Sequence, residues 1–216
     1  MRDVMTVFKD RVDAGQKLAQ KLLHYKNHPD SIVIGLPRGG VVLSSEVAKK
    51  LELPMDIVCP RKLGAPSNPE YAIGAITETG EGIFNQEAFS YLQITDDYLN
   101  QIIEEEKQQA KKRLDIYRKG MGPRILKNKV VIIVDDGLAT GSTMKAAIVS
   151  VRAEKAKKIV AAIPVSPIDT YKEIHAMVDE IVCLSTPPLF QAVGQFYINF
   201  GQTLDEDVIE IMQEFV

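Results

Sequence analysis

The sequence predicts an α/β domain, a five-stranded parallel twisted sheet flanked by helices. Five short apolar runs, at 32–36, 55–59, 130–134, 159–165 and 180–184, alternate with segments whose apolar residues recur at helical spacing. The run Val130–Val134 has no polar interruption, as suits a strand covered on both faces. Arg38, Arg61, Asp135 and Asp136 each follow directly on such a run. In a sheet of this kind ligands bind outside the carboxyl ends of the strands, so these four residues should line one edge.

Composition sets the outer bounds. The 216 residues suffice for one α/β domain and a small accessory part, and 45% hydrophobic with 25% charged residues is ordinary for a globular chain. A net charge of −3 gives no support to general nucleic-acid affinity. Cys59 and Cys183 are too few for a disulfide framework, which fits a reducing cytoplasm, and both read as core residues. His24, His28 and His175 show no metal-ligand spacing. The start of the chain lacks a signal-peptide core and no run is long enough to span a membrane, so a cytoplasmic protein without a membrane partner is expected.

The elements follow in order. Residues 8–25 form an amphipathic helix with Val12, Leu18, Ala19, Leu22 and Leu23 on one face, ended by Asn27-His28-Pro29-Asp30. Strand 32–36 runs into Pro37-Arg38-Gly39-Gly40, and Leu43, Val47, Ala48 and Leu51 mark the next helix. This strand–glycine turn–helix unit is a potential anion site with a cation in the turn itself. After run 55–59, Pro, Gly and Asn dominate 60–71, which reads as loop. Segment 72–84 reads as a hairpin, with Ile83-Phe84 returning after Glu78-Thr79-Gly80-Glu81-Gly82. Residues 95–119 form a long helix with Leu99, Ile102, Ile103, Glu106, Ala110, Leu114 and Tyr117 along one side. Its charges, around 104–107 and 111–113, form the solvated face, and Gly120 and Gly122-Pro123 stop it. Ser166 is placed to cap a helix that Pro167 begins. The tail, 185–216, carries Phe190 and Phe196-Tyr197-Ile198-Asn199-Phe200, then an acidic amphipathic end from Asp205.

The chemistry concentrates in VVIIVDDGLATGSTM, residues 130–144. The strand ends in Asp135-Asp136, a small-residue loop follows, and Met144, Ala147, Ile148 and Val151 recur at helical spacing. The first N–H groups of that helix have no intrahelical partner and carry the positive end of the macrodipole, which makes a phosphate site. Gly141 lets backbone approach an anion, and Thr140, Ser142 and Thr143 offer hydroxyl donors. Two carboxylates beside an anion pocket make sense holding sugar hydroxyls, or a divalent cation between them and the ligand. The loop is no P-loop, lacking the Lys before Ser/Thr, and Gly137 with Gly141 alone do not make a dinucleotide fingerprint.

This stretch resembles the phosphoribosyl pyrophosphate (PRPP) signature of the type I phosphoribosyltransferases. The resemblance implies their fold, with a flexible flap hairpin and a small hood on the parallel sheet. It implies that Asp135 and Asp136 contact the ribose hydroxyls, while Ala139, Thr140, Gly141, Ser142 and Thr143 grip the 5′-phosphate. Arg38, Gly39 and Gly40 match the turn that binds pyrophosphate, which in the family often carries a strained or cis peptide. Arg61 and Lys62 match a catalytic pair near the pyrophosphate, so that with Asp135 and Asp136 they complete the catalytic set. The domain limits that follow are a core at 1–184, including a flap at about 60–86 and an inserted helix at about 95–119, and a hood at 185–216. Phe190 and Tyr197 are candidates to stack on the acceptor base.

The implied reaction moves ribose 5-phosphate from PRPP to a nitrogen acceptor, with Mg²⁺ as cofactor carried on PRPP near Asp135 and Asp136, in a homodimer. Hypoxanthine–guanine enzymes carry an acid where this chain has Ala139, which argues against that type. Over its full length the chain resembles bacterial and archaeal phosphoribosyltransferases of unassigned acceptor. The alternative is a PRPP-binding regulator without turnover.

Overall fold

A computed structural model describes residues 7–216, so the first six residues of the expected 1–184 core lie outside it. Helix α1 (Arg11–Lys21) precedes β1 (Ser31–Gly35), α2 (Gly39–Leu51) and β2 (Met55–Ile57). Next come β3 (Arg61–Ala65), β4 (Asn68–Ile76), β5 (Gly82–Phe84), α3 (Gln86–Leu92) and the long α4 (Asp96–Tyr117). The chain closes with β6 (Val130–Val134), α5 (Ser142–Ala153), β7 (Lys158–Val165), α6 (Ile168–His175), β8 (Glu180–Ser185) and α7 (Asp205–Gln213).

Five strands form the expected parallel sheet, in the order β2-β1-β6-β7-β8. Successive strand residues face opposite sides, and here both sides are covered. Val33, Ile132, Val134 and Val160 face α1, α2 and α7 through Leu18, Val47 and Met212. Ile34, Val131, Ile133 and Ala161 face α5 and α6 through Met144, Ile148 and Ile174. That two-sided burial is why Val130–Val134 carries no polar residue. The chain leaves β1 for β2 on one side, while β6 flanks β1 on the other. The turns after β1 and β6 therefore diverge and leave a crevice at the carboxyl edge.

Three expectations change. The first helix begins at Arg11 because the Asp10 carboxylate accepts the Asp13 N–H at 2.9 Å and caps it. Phe8 lies outside the helix, pairing with Tyr197 of the tail, while Val12 and Leu23 are exposed and Ala14 and Gly15 are buried instead. Residues 60–71 are mostly strand: β3 pairs antiparallel with β4, and β4 with β5, as a three-stranded sheet that contains the expected hairpin. Gly64 reads as a loop residue in sequence but serves a bulge, where an added Cβ would stand 2.6 Å from the Pro69 carbonyl oxygen. Ser166 does not cap α6; its hydroxyl donates to the Pro167 carbonyl.

The long helix gains a purpose. Its first half packs Leu99, Ile102 and Ile103 on Leu63, Ile73 and Ile76 of the small sheet. Its second half puts Ala110 and Tyr117 into the main core. One amphipathic helix thus covers the small sheet and joins it to the domain.

The hairpin turn is also held down. Glu78 pairs with Arg124 at 2.8 Å, Arg124 pairs at 2.5 Å with Glu154, the residue that caps the end of α5, and Glu78 accepts the Cys59 N–H at 3.0 Å. Burial opposes the charge on Arg124, but Glu78 and Glu154 outweigh it and raise its pKa above the ordinary value. Arg124→Met strands two carboxylates and is expected to lower the unfolding free energy in urea by about 3 kcal/mol. A loss under about 0.5 kcal/mol, the scale of an exposed pair, would contradict that role.

Candidate functional site

The turn after β1 brings α2 against the acidic pair. Leu36 N–H donates to the Val134 carbonyl at 3.1 Å, continuing the β1–β6 pairing one residue past the strand. The Pro37–Arg38 peptide is cis, the feature the resemblance anticipated. Helix α2 then starts at Gly39, where a Cβ would stand 2.0 Å from Asp136 Oδ2. At Gly40 a Cβ would stand 2.9 Å from Asp135 Oδ1 and from the Val134 carbonyl oxygen. Both glycines are required by close approach, and the positive end of α2 is laid beside the two carboxylates.

The loop after β6 is held from the other side. Leu138 N–H donates to the Val165 carbonyl at 2.9 Å, and Thr170 of α6 donates to the Ala139 carbonyl at 2.8 Å. Gly141 has φ +70°, and a Cβ there would meet Thr170 Cγ2 at 2.8 Å, so a left-handed turn and close packing both demand glycine. Lys145 of α5 pairs with Glu173 of α6. Ala139, Thr140 and Thr143 are left exposed around the start of α5.

A cleft of about 370 Å³ opens between these turns. Pro37, Arg38 and Gly39 line one side, Asp135–Asp136 and residues 137–143 another, and Lys62 with Ala75 from the small sheet a third. Ten of the residues singled out in sequence therefore meet: Arg38, Gly39, Lys62, Asp135, Asp136, Ala139, Thr140, Gly141, Ser142 and Thr143. Gly40 stands one position behind, under Asp135.

Arg61 parts from Lys62. Adjacent strand residues face opposite sides, so with Lys62 on the cleft face beside its cross-strand partner Ala75, Arg61 turns toward α4 and pairs with Glu106 at 2.6 Å. Neither Phe190 nor Tyr197 is among the cleft-lining residues. Phe190 stacks on Phe196, ring centroids 5.3 Å apart. Tyr197 is buried, and its hydroxyl donates to the Asp136 carbonyl at 2.6 Å, behind the acidic pair. The tail reaches the cleft through Val193, whose Cγ1 would lie 2.6 Å from a Cβ at Gly137.

Sequence reasoning missed Arg11, whose Nε donates to Asp136 Oδ2 at 2.8 Å. Nothing in the local pattern separates it from other charges on an amphipathic helix. A basic residue at the first helical position, where the macrodipole disfavours it, was the available signal.

The acids are unequal. Burial and then the neighbouring Asp136 charge push Asp135 well above the ordinary carboxylate range. Burial raises Asp136 as well, but Arg11 opposes it through charge and hydrogen bond. Both carboxyls are thus held above the ordinary range, Asp136 with a guanidinium working against the rise. Burial also lifts the Cys59 thiol, and lifts Cys183 to about 11, so neither offers a thiolate nucleophile at neutral pH. Among the described residues no group of three or more His, Cys, Asp or Glu is placed to hold a metal ion. A Mg²⁺ here fits only as an ion held chiefly by a ligand's own oxygens beside the acidic pair, the usual manner for this cation. No described helix is long and apolar enough to cross a membrane.

Comparison with known proteins agrees with this geometry. The family model described as the phosphoribosyl transferase domain matches residues 7–200. A protein of Mycobacterium tuberculosis, provisionally named a phosphoribosyl transferase, is 41% identical over 208 residues. That match takes in 96% of this chain but 47% of the relative, so the chain spans about half the length of the curated relatives it matches. The solved structure of TT1426 from Thermus thermophilus is 39% identical and superposes with a TM-score of 0.83, covering 97% of this chain and 99% of that one.

Two outcomes test this site. A carboxyl whose folded pKa is raised contributes stability below its unfolded pKa and loses it as pH climbs through the folded value. Asp135→Asn keeps an oxygen for the Asp136 N–H now accepted at 2.9 Å. It is therefore expected to melt above wild type at pH 7 and level with it near about pH 4; a lower melting temperature at pH 7 would contradict the assignment. Gly39→Ala must displace the Asp136 carboxylate or the start of α2, so the folded variant should lose anion binding to the cleft while its circular dichroism stays native. Unchanged binding of pyrophosphate and of PRPP would show that the two turns are not wedged together.

Proposed function

Because this chain belongs to the phosphoribosyl transferase domain family, we propose that it moves the ribose 5-phosphate of PRPP to a nitrogen acceptor, a nucleobase in the first instance, releasing pyrophosphate. One observation carries this reading: a helix-start phosphate loop, an acidic pair and a cationic glycine turn line the same cleft. Each matches one part of PRPP.

In this reading Thr140, Ser142, Thr143 and the first N–H groups of α5 hold the 5′-phosphate. Asp136, held by Arg11, accepts from a ribose hydroxyl, and Asp135 beside it meets the neighbouring hydroxyl. Arg38 with the start of α2 binds the pyrophosphate on one side, and Lys62 faces it from the small sheet. Mg²⁺ brought in on PRPP supplies charge neutralisation for the leaving group. Departure of pyrophosphate leaves cationic character at C1, and the chain's work is positioning and charge stabilisation. The small sheet over the cleft keeps water from competing with the acceptor. The acceptor enters where Val193 meets Gly137, with the 185–216 tail as hood, and Ala139 leaves no acid there for a purine of the hypoxanthine–guanine type. A homodimer is part of the proposal.

A second reading, a PRPP-binding regulator without turnover, draws on Arg61, which is committed to Glu106 instead of the cleft. Pyrophosphate release from PRPP and Mg²⁺, measured across purine bases, pyrimidine bases and related amides, separates the two. Release dependent on one base names the acceptor, whereas tight PRPP binding with no release for any base favours the regulator. Asp136→Asn is expected to weaken PRPP binding about 10- to 100-fold and Thr140→Val about fivefold, on the scale of a charged and a neutral hydrogen bond. Calorimetric affinities equal to wild type would remove the ribose and phosphate assignments respectively.

A further inference from the structure

Arg11 occupies the first position of α1, where the helix macrodipole disfavours a cation. Its side chain leaves that helix for the loop after β6. Nε donates to Asp136 Oδ2 at 2.8 Å, and Nη1 donates to the Gly201 carbonyl at 2.6 Å. The guanidinium carbon lies 3.9 Å from the centroid of the Phe200 ring. Tyr197 meanwhile holds the backbone of the same aspartate, its hydroxyl donating to the Asp136 carbonyl. Carboxylate and backbone of one acid are thus gripped by two side chains from distant parts of the chain.

We infer that Arg11 is a positioning residue for the ribose-holding carboxylate, and that Phe200 and Gly201 make the tail part of that device. This rests on the PRPP reading above. The guanidinium is a rigid fork: one donor fixes an oxygen of Asp136, another is fixed on the tail backbone, and its face is stacked on an aromatic ring. Such a fork sets the rotation of the carboxylate, which a point charge would not do. It also leaves the other carboxylate oxygen for a ligand. The space it uses is the space denied to a side chain at Gly39, where a Cβ would stand 2.7 Å from Arg11 Nε. The ion pair therefore lies at the junction of the two ligand-binding turns, and loosening the tail loosens the acid.

The test uses the full chain and two probes. By calorimetry, Arg11→Met is expected to weaken PRPP·Mg²⁺ binding about tenfold or more, the scale of one lost charge-assisted hydrogen bond with its orientation. Arg11→Lys should recover only part of the loss. Inorganic pyrophosphate, which has no ribose, should bind the variants as it binds wild type. Equal PRPP affinity in all three proteins overturns the inference. So does an equal loss of PRPP and pyrophosphate, which marks Arg11 as a general support. Should Arg11→Met not fold, Phe200→Leu keeps the ion pair but frees the face of the guanidinium, and it must lose PRPP while retaining pyrophosphate. If wild type binds no PRPP, the functional reading falls by itself and amide exchange still judges the tie. Arg11→Met must then loosen residues 135–138 and 197–201 together, and unchanged protection overturns it.

Discussion

The site depends on a shortage of space between two turns. Where β1 and β6 lie side by side, both chains turn out of the sheet at the same edge. Helix α2 begins so close to Asp135 and Asp136 that neither Gly39 nor Gly40 has room for a Cβ. Two half-buried carboxylates on adjacent residues would ordinarily repel each other. Here the start of α2 offers its unpaired N–H groups and positive dipole, Arg11 offers a full charge, and burial raises the pKa of Asp135. The acids are sustained by what crowds them, and the Arg38–Gly40 turn is brought beside the acidic pair by the same crowding.

The rest of the molecule serves that junction. Alternation along β3 sends Lys62 to the cleft and Arg61 to Glu106, so one residue of an adjacent pair lines the cleft and the other fastens the small sheet to α4. Helix α4 carries that sheet on its first half and enters the main core with its second. The Glu78–Arg124–Glu154 network fixes the hairpin turn to α5. Any closure over the cleft has to work against these ties. At the other end of the site, the tail joins the chain start through Phe8 and Tyr197 and reaches the acidic loop through Tyr197 and Arg11.

What sequence disclosed was local. Val130–Val134 announced a doubly covered strand because both of its faces had to be apolar. The Thr140–Thr143 loop read as a turn into a helix start, and the structure sets it on the cleft. The parallel sheet followed from alternation alone. Pairings over long distances stayed hidden: β3 and the first part of β4 looked like loop because Gly64 and Pro69 serve a bulge, which periodicity does not reveal. Arg11 and Asp136 are 125 positions apart, and no spacing rule links them. Tyr197 was legible as an aromatic near the site, but not as a hydroxyl behind the acids. An aromatic ring advertises stacking, while its oxygen finds a partner only in three dimensions.

The account is tested most directly by following backbone amide shifts while PRPP·Mg²⁺ is titrated into the protein. It predicts the largest changes in residues 38–40 and 135–143, with Lys62 responding and Arg61 largely still. Changes centred elsewhere, or a response at Arg61 without one at Asp136 and Thr140, would contradict the claim that two wedged turns at the β1–β6 edge form the ligand site.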